Sequence, residues 1–477
     1  MAEQIRQKLS DNFRARWTAL FIVSITMMMG YFLTDVMAPL ETMLEAPASQ
    51  GGLGWTSSEY GLFSGSYGVI NVFLLMLFFG GIILDKMGIR FTGNFSCGLM
   101  VVGAAVKYYA VAFMTPDTAV LIDISHLPRA LQAVLTYIGL SGLIKTQVLV
   151  ASAGFAIFGM GCEIVGITIS KVMTKWFTGH ELALAMGIQV ALARLGTALT
   201  FFVSVPVAKH FSLSAPVLLG LVLLVIGFLL WLVYDVMDIQ LDRSDPSGTI
   251  NTTTPDDEKF HLRDLGFIVR NPGFWLITAM CLCFYGGIFP FLKFASKLMV
   301  FKYGVDEEFA GWIPSLMPFG TIILTPLFGS IYDKIGRGAT LMIIGALILT
   351  GVHVMFALPI LETPWFAVML IILLGVAFSL VPSAMWPSVP KIIPMKQLGS
   401  AYSIIFFIQN IGLTLIPMVM GTIIGMNTHN GVPNFTIPMM SFAFLGAAAV
   451  VFGVILRLLD AHKHYGLEMP NIKETQG

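Results

Sequence analysis

GIILDKMGIR, residues 81–90, returns in outline as GSIYDKIGRG, residues 329–338. Both contain Gly-x-x-x-Asp-Lys-x-Gly, and each lies between two long apolar runs. A short charged loop repeated so far along a chain is the mark of a duplicated membrane unit. A second alignment agrees: HELALAMGIQVALARLG (180–196) lies over KQLGSAYSIIFFIQNIG (396–412). Its offset is smaller than that of the first pair. The shortfall matches an extra stretch in the first half, 115–146, that the second half lacks.

Composition says what surrounds these loops. The chain has 477 residues, 56% hydrophobic and 11% charged, whereas a soluble domain carries about 25% charged residues. Its mean hydropathy is +0.84. Apolar runs of about 20 residues, long enough to cross a bilayer, recur along it. Six spans are expected at 17–38, 60–84, 91–114, 147–171, 181–208 and 213–236. Six more are expected at 272–300, 308–332, 339–358, 364–391, 398–425 and 437–458. The predicted fold is an all-α membrane protein of twelve transmembrane helices in two pseudo-symmetric six-helix bundles. The first bundle takes 1–237, with 115–146 inserted between spans 3 and 4, and the second takes 272–477. Between them 238–271, with RSDPSGTINTTTPDDEK, reads as a polar cytoplasmic linker.

Most of the Lys and Arg residues fall in the termini and in the loops after even-numbered spans. This positive-inside pattern places both termini in the cytoplasm. The polar first 16 residues lead into a long apolar run without a small-residue cleavage site, so no cleaved signal peptide is expected. MAEQIRQKLSDNF shows no acidic di-leucine sorting signal, which favours a bacterial inner membrane over a eukaryotic one. Cys97, Cys162, Cys281 and Cys283 all lie in apolar segments and read as small packing residues, without disulfide or metal spacing. A formal net charge of zero argues against nucleic acid as a partner. Phosphate-cradling loops, HExxH and nucleophile elbows are missing, so no enzyme, cofactor or ATP-driven pump is expected.

The two Gly-x-x-x-Asp-Lys-x-Gly loops resemble the signature of the major facilitator superfamily, although Ile89 stands where a base is usual. FGGIILDKMGIR, GCEIVGITISKVMTKWFTGHELALAMGIQVALARLG, IFPFLKF and AMWPSVPKIIPMKQLGSAYSIIFFIQNIG resemble its lysosomal dipeptide uniporter branch more closely. The resemblance implies two bundles rocking about a central cavity that carries short peptides. It also implies that Glu163 and Arg194 contact peptide termini.

The residues themselves allow two readings of that pair. Glu163, in GMGCEIVG (159–166), and Arg194 both fall near mid-span on consecutive helices, where a charge costs a few kcal/mol. Either they form an ion pair that ties spans 4 and 5 together, or they form a site for a zwitterion. Under the repeat, Ser379 lies over Glu163 and Asn410 over Arg194, so only one half carries charge. A guanidinium grips a carboxylate bidentately, and a carboxylate accepts from an ammonium. Gly159 and Gly161 leave room beside Glu163, while Gly154 and Gly166 fit close helix packing.

Trp386, in a proline-bent SAMWPSVP (383–390), either packs at a helix interface or stacks on substrate across the cavity, as the family resemblance implies. Gln409 and Asn410 either line the cavity as neutral polar groups or hydrogen-bond between helices. Tyr31 and Tyr285 join this substrate set. In YGGIFPFLKFASK (285–297), Pro290 is expected to break the helix, as in a gate. Lys293 is also placed in the substrate set. It and Lys297 either attract a peptide carboxylate or snorkel to the interface. Lys107, before Tyr108 and Tyr109, reads as an interfacial anchor, and His353 as structural. Asp35 is read as a gate or a helix-end partner. Asp85, Lys86, Arg90, Asp333, Lys334 and Arg337 read as gating residues that hold the halves together on the cytoplasmic side.

The expected function is therefore alternating-access transport of dipeptides, without obligatory proton coupling because span 1 lacks the Glu-x-x-Glu-Arg run of the proton-coupled oligopeptide family, although Asp35 and Glu163 could still titrate. Transport of another small organic anion, with Glu163 carrying a proton, and a non-transporting membrane sensor remain as alternatives. A dipeptide and the lipid bilayer are the expected partners and a monomer the expected state, with any accessory membrane protein unassigned. The stretch 115–146 has no assigned role beyond an amphipathic or interfacial helix in IDISHLPRALQAVLTYIGL.

Overall fold

The computed structural model describes residues 9–177, 180–244, 265–394 and 397–470, apart from the side chains of Leu77, Asp85, Ala183 and Leu265. Within these, α1 spans Phe13–Asp35, begun by Asn12, whose side chain accepts from the Arg14 amide at 3.0 Å. A short α2 (Glu41–Glu45) leads to α3 (Ser57–Ser66). A reciprocal Thr56–Glu59 capping box starts α3 by satisfying two amides that no helical carbonyl reaches.

The second crossing is not one helix. It runs through α3, α4 (Val69–Phe73) and the first turns of α5 (Met76–Phe113). Leu75 is left-handed at φ 53°, and Gly88 at φ 80° divides α5 into the end of this crossing and the whole of the third. Only glycine takes the latter conformation at little cost. Eleven other helices or helix portions are long and apolar enough to cross a membrane among the described residues. Twelve crossings thus stand, as expected, with the second one broken.

After α5 come β1 (Ala119–Ile122), α6 (Arg129–Tyr137) and β2 (Gly142–Lys145), the two strands pairing antiparallel. The first half ends with α7 (Thr146–Phe177), α8 (Leu182–His210) and α9 (Ala215–Ser244). Residues 238–244, expected as linker, thus continue α9. Asp238 is buried and pairs with Lys175 at 2.8 Å, and Asp242 pairs with Lys175 at 2.7 Å and Arg90 at 3.2 Å. Polar residues read as a boundary are instead ion-pair partners on a helix. The rest of the expected linker up to 264 lies outside the described residues.

The second half opens with α10 (Leu265–Arg270) and α11 (Pro272–Tyr303), then α12 (Trp312–Ile335) and α13 (Gly338–Ala357). It closes with α14 (Pro364–Ile392), α15 (Leu398–Met426), the two-residue strands β3 (Thr428–His429) and β4 (Val432–Pro433), and α16 (Thr436–Lys463). Pro290 does not break α11, contrary to expectation. His353 Nε2 donates to the Gly287 carbonyl at 2.9 Å, bracing the turn that the proline weakens. The same contact gives buried His353 its structural place.

In the first half α1 packs on α8 and α9, and α5 on α7; in the second, α13 packs on α14 and α16, and α12 on α14. An even number of crossings puts both termini on one face. The two halves meet toward the opposite face, where α3 crosses α15 and α8 crosses α12. The first crossing needs glycine: a Cβ on Gly65 would come within 2.2 Å of the Thr414 carbonyl. At the second, Phe202 stacks on Trp312 with centroids 4.4 Å apart.

Candidate functional site

Glu163 sits half-buried in the middle of α7, and its Oε1 accepts a hydrogen bond from Tyr67 Oη at 2.9 Å. The break between α3 and α4 brings Tyr67 there. A Cβ on Gly159 would lie 2.1 Å from the Tyr67 carbonyl, so that glycine lets the broken backbone come close to α7. Asn71 Nδ2 pins the same place by donating to the Gly159 carbonyl at 3.3 Å. The glycine beside Glu163 thus makes room for a strand of backbone and the tyrosine it carries. Glu163 Oε2 makes no hydrogen bond among the described residues, nor is it a sealed, partnerless atom.

Arg194, half-buried on α8, makes no ion pair with Glu163 among the described residues. Its guanidinium lies over two rings of the other half, 4.8 Å from the Phe378 centroid and 5.3 Å from Phe289. Cation–π contacts of this kind hold a guanidinium while leaving its N–H edge for a planar acceptor. Tyr31 on α1 is within the electrostatic reach of Arg194 and Glu163, and Tyr285 within that of Arg194.

The second half answers with an aromatic wall. Trp386 Nε1 donates to Tyr285 Oη at 3.0 Å, Trp386 stacks on Phe406 at 4.9 Å, and Tyr402 Oη donates to the Trp386 carbonyl at 3.1 Å. Phe289 connects Tyr285, at 5.7 Å, to Phe378, at 5.2 Å. The wall therefore runs without interruption from Trp386 to the rings beneath Arg194. The structure links Trp386 and Tyr285 through Phe289 to the rings under Arg194, with Tyr31 near enough to feel both charges. Gln409 and Asn410 are buried and engaged with protein: Gln409 Oε1 accepts from Cys281 Sγ at 3.5 Å, and Asn410 Nδ2 donates to the Phe406 carbonyl at 2.9 Å.

Lysines expected to be free or interfacial are held. Lys293 Nζ pairs with Asp35 Oδ1 at 2.6 Å and donates to the Thr34 carbonyl at 3.1 Å, joining α11 to α1. Lys297 is neither snorkelling nor free. It is buried and donates to Glu45 Oε2 at 2.5 Å, Ser57 Oγ at 2.9 Å and Glu41 Oε1 at 3.3 Å. Thr42 reaches Glu307 at 2.6 Å and Ser58 meets Thr422 at 3.0 Å. These contacts seal the seam between the halves on the face away from the termini. Lys107 is not an interfacial anchor: it is 1% exposed, donates to the Leu33 carbonyl at 3.0 Å and lies 4.5 Å over the Phe155 ring.

Of the expected gating residues, the Asp85 side chain lies outside the described set. Arg90 pairs with Asp238 at 3.7 Å and with Asp242, both in its own half. Lys86 and Lys334 are exposed, and Asp333 lies between Tyr332 and Lys334 near the end of α12. Arg337 is left-handed at φ 58°, with its amide on the Glu468 carbonyl at 3.0 Å.

Sequence reasoning did not single out Tyr67, Phe289 or Phe378. Tyr67 carried a signal, since a tyrosine among the glycines of GLFSGSYG marks an interrupted helix rather than a plain span. Phe289 and Phe378 carried none, because an aromatic residue in a span is ordinarily packing.

The family model described as Major Facilitator Superfamily matches residues 129–417 and 292–468. The chain is 27% identical to the lysosomal dipeptide transporter MFSD1 of Bos taurus over 307 residues, covering 61% of this chain and 62% of that protein. Against the Homo sapiens protein of the same name, identity is 25% over 433 residues, with 87% and 81% covered. Among solved structures, a mutant of the peptide transporter POT superposes with a TM-score of 0.68 at 16% identity, covering 95% of this chain and 96% of that one. The nucleoside transporter NupG superposes at 0.65 and 14%, covering 93% and 99%. These superpositions establish the fold.

Proposed function

The chain belongs to the Major Facilitator Superfamily, and on that premise we propose that it carries dipeptides across its membrane by alternating access, as a uniporter. One observation carries the reading: Glu163 and Arg194, opposite charges on neighbouring crossings, are each held by other groups and not by one another. Tyr67 takes one Glu163 oxygen and leaves the other for an ammonium. Aromatic faces hold Arg194 and leave its edge for a carboxylate. A dipeptide presents those two ends roughly 5–7 Å apart, at about 3.5 Å per extended residue. Its side chains would then meet the Tyr285–Trp386–Phe406 wall, which has the apolar bulk to accept many of them. The relatives named as dipeptide transporters support the substrate class.

The seam closed by Lys293, Lys297 and the α3–α15 crossing supports reading this conformation as open toward the termini. In the alternate state this seam parts, and the loops bearing Lys86, Arg90, Asp333, Lys334 and Arg337 are proposed to close the other face. The distribution of basic residues supports cytoplasmic termini. A bacterial inner membrane remains our proposal for the compartment. The relatives are named lysosomal, and imaging a tagged chain in its own cells decides between the two.

Uptake of a radiolabelled dipeptide into liposomes tests the reading. Arg194→Ala abolishes it, and acetylating the peptide amine harms wild type far more than Glu163→Gln. Uptake that persists in both variants would reduce the pair to a helix brace. Uptake of simple anions in preference to zwitterions would refute the substrate class.

A further inference from the structure

The segment 115–146 interrupts the first half, and nothing in the transport reading uses it. Its strands pair with Leu121 directly opposite Leu143, so these side chains share one face of the ribbon. They are 66% and 72% exposed. The ribbon is anchored through β2: neighbouring Ile144 is buried, although Val120 opposite it is 45% exposed, and the Lys145 amide donates to Glu59 Oε1 at 2.8 Å. The ribbon is therefore seated on the protein at Ile144 and leaves Leu121 and Leu143 uncovered on its other face.

Helix α6 repeats the pattern. Leu131, Val134, Leu135 and Ile138 have the three- and four-residue spacing of a single stripe. Ile138 reaches the core, while Leu131 and Val134 are 43% and 55% exposed. Gln132 closes the loop before the helix, donating to the carbonyls of Ser125 at 3.1 Å and Leu127 at 2.8 Å.

Three observations identify what covers these faces. The first is reach. Leu143 is three residues from Thr146, where α7 begins, so it lies within about 10 Å of the end of a membrane span. Its strand partner Leu121 is held beside it. The second is continuity. Helix α5 enters the segment through exposed Tyr109 and Phe113, with ring centroids 5.9 Å apart, and aromatic side chains gather at the level where a span meets head groups. The third is charge. Asp117, Asp123, Arg129 and Lys145 cancel, so the segment has no net attraction for a charged partner.

We infer that 115–146 is a membrane-interface element. It lies on the bilayer that the chain spans, on the face away from the termini, with Leu121, Leu143, Leu131 and Val134 among the first acyl carbons. An amphipathic element of this kind inserts its apolar face about 5–10 Å into the head-group boundary. Because the segment is neutral, zwitterionic phosphatidylcholine suffices and added salt does not release it.

Spin labels test this in the full chain. The native cysteines are all buried, so a thiol label goes to an introduced site. Leu143→Cys and Val134→Cys are compared with Asp123→Cys, an exposed polar position in the same segment. In phosphatidylcholine nanodiscs, collision rates are measured with oxygen, which concentrates in lipid, and with a nickel chelate, which stays in water. The expected oxygen-to-nickel ratio is several-fold higher at 143 and 134 than at 123, and unchanged by salt. A ratio at 143 and 134 equal to that at 123 would place the faces in water. Labels screened from both reagents would place them beneath a second copy or another protein. Either result overturns the inference.

Discussion

Tyr67→Phe removes one oxygen, and with it the 2.9 Å hydrogen bond to Glu163. The ring stays where it is, 5.4 Å from Phe155 and 6.2 Å from Phe158, so the fold is little disturbed. A hydrogen bond to a charged acceptor contributes about 1.5–3 kcal/mol. Glu163 is only half-buried, so water recovers part of the loss and about 1–2 kcal/mol remains. At about 1.4 kcal/mol per tenfold, dipeptide binding weakens roughly 5- to 30-fold. The loss falls on one end of the ligand. An amino-acetylated dipeptide never used the carboxylate, so its weak binding should not change. Titration calorimetry on purified wild type and Tyr67→Phe with both ligands gives the coupling directly. Equal weakening for free and acetylated peptide, or none for either, would refute the claim that Tyr67 orients Glu163 toward an amine.

The remaining predictions concern the seam. Glu41 lies between α1 and α3, outside the spans. Burial lifts its carboxyl to about 8, against the opposing pull of Lys297. Once the seam opens, Glu41 returns to an ordinary carboxylate value of about 4.3. The closed state therefore holds the proton more tightly. Its stabilisation is complete below the open-state value and is lost as pH rises through about 8. Spin–spin distances across the face away from the termini should lengthen between mildly acidic and alkaline pH in wild type. They should stay constant in Glu41→Gln, and constancy in both proteins would sink this account. For the neighbouring ion pair, Asp35→Lys and Lys293→Asp should each slow uptake, and the double exchange should recover a good part of it. A double variant no better than its parents would remove the pair from the gate.

The membrane fold was legible because it is written in repeated, redundant features. Two charged loops and twelve apolar runs each point to the same duplicated bundle, and no single side chain decides it. The exceptions have local causes. The break in the second crossing depends on Gly68 and Leu75, and its reason lies on another helix, in the close approach to Thr414. Asp238 and Asp242 looked like the start of a linker because their partners, Lys175 and Arg90, are distant in sequence.

The site divided the same way. Glu163 and Arg194 stood out as charges where lipid forbids them, and Trp386 as a tryptophan among prolines. Lys107 was misread as an anchor, and the partners of Lys293 and Lys297 were not foreseen, because sequence gives depth along a helix but not the face. Their direction decides whether a lysine reaches water, a carboxylate or a ring. The wall beneath Arg194 was illegible for a related reason. Phenylalanine is common in spans, and only the meeting of the two halves shows which of its faces a guanidinium covers.

The central claim is that Glu163 and Arg194 are kept apart so that a peptide can join them. Density for the protein with a bound dipeptide, in the same orientation of the halves, tests it most directly. The account predicts the peptide amine within hydrogen-bonding distance of Glu163, its carboxylate on Arg194, and its side chains toward Trp386. A peptide bound elsewhere, with Glu163 and Arg194 paired to each other, would contradict it.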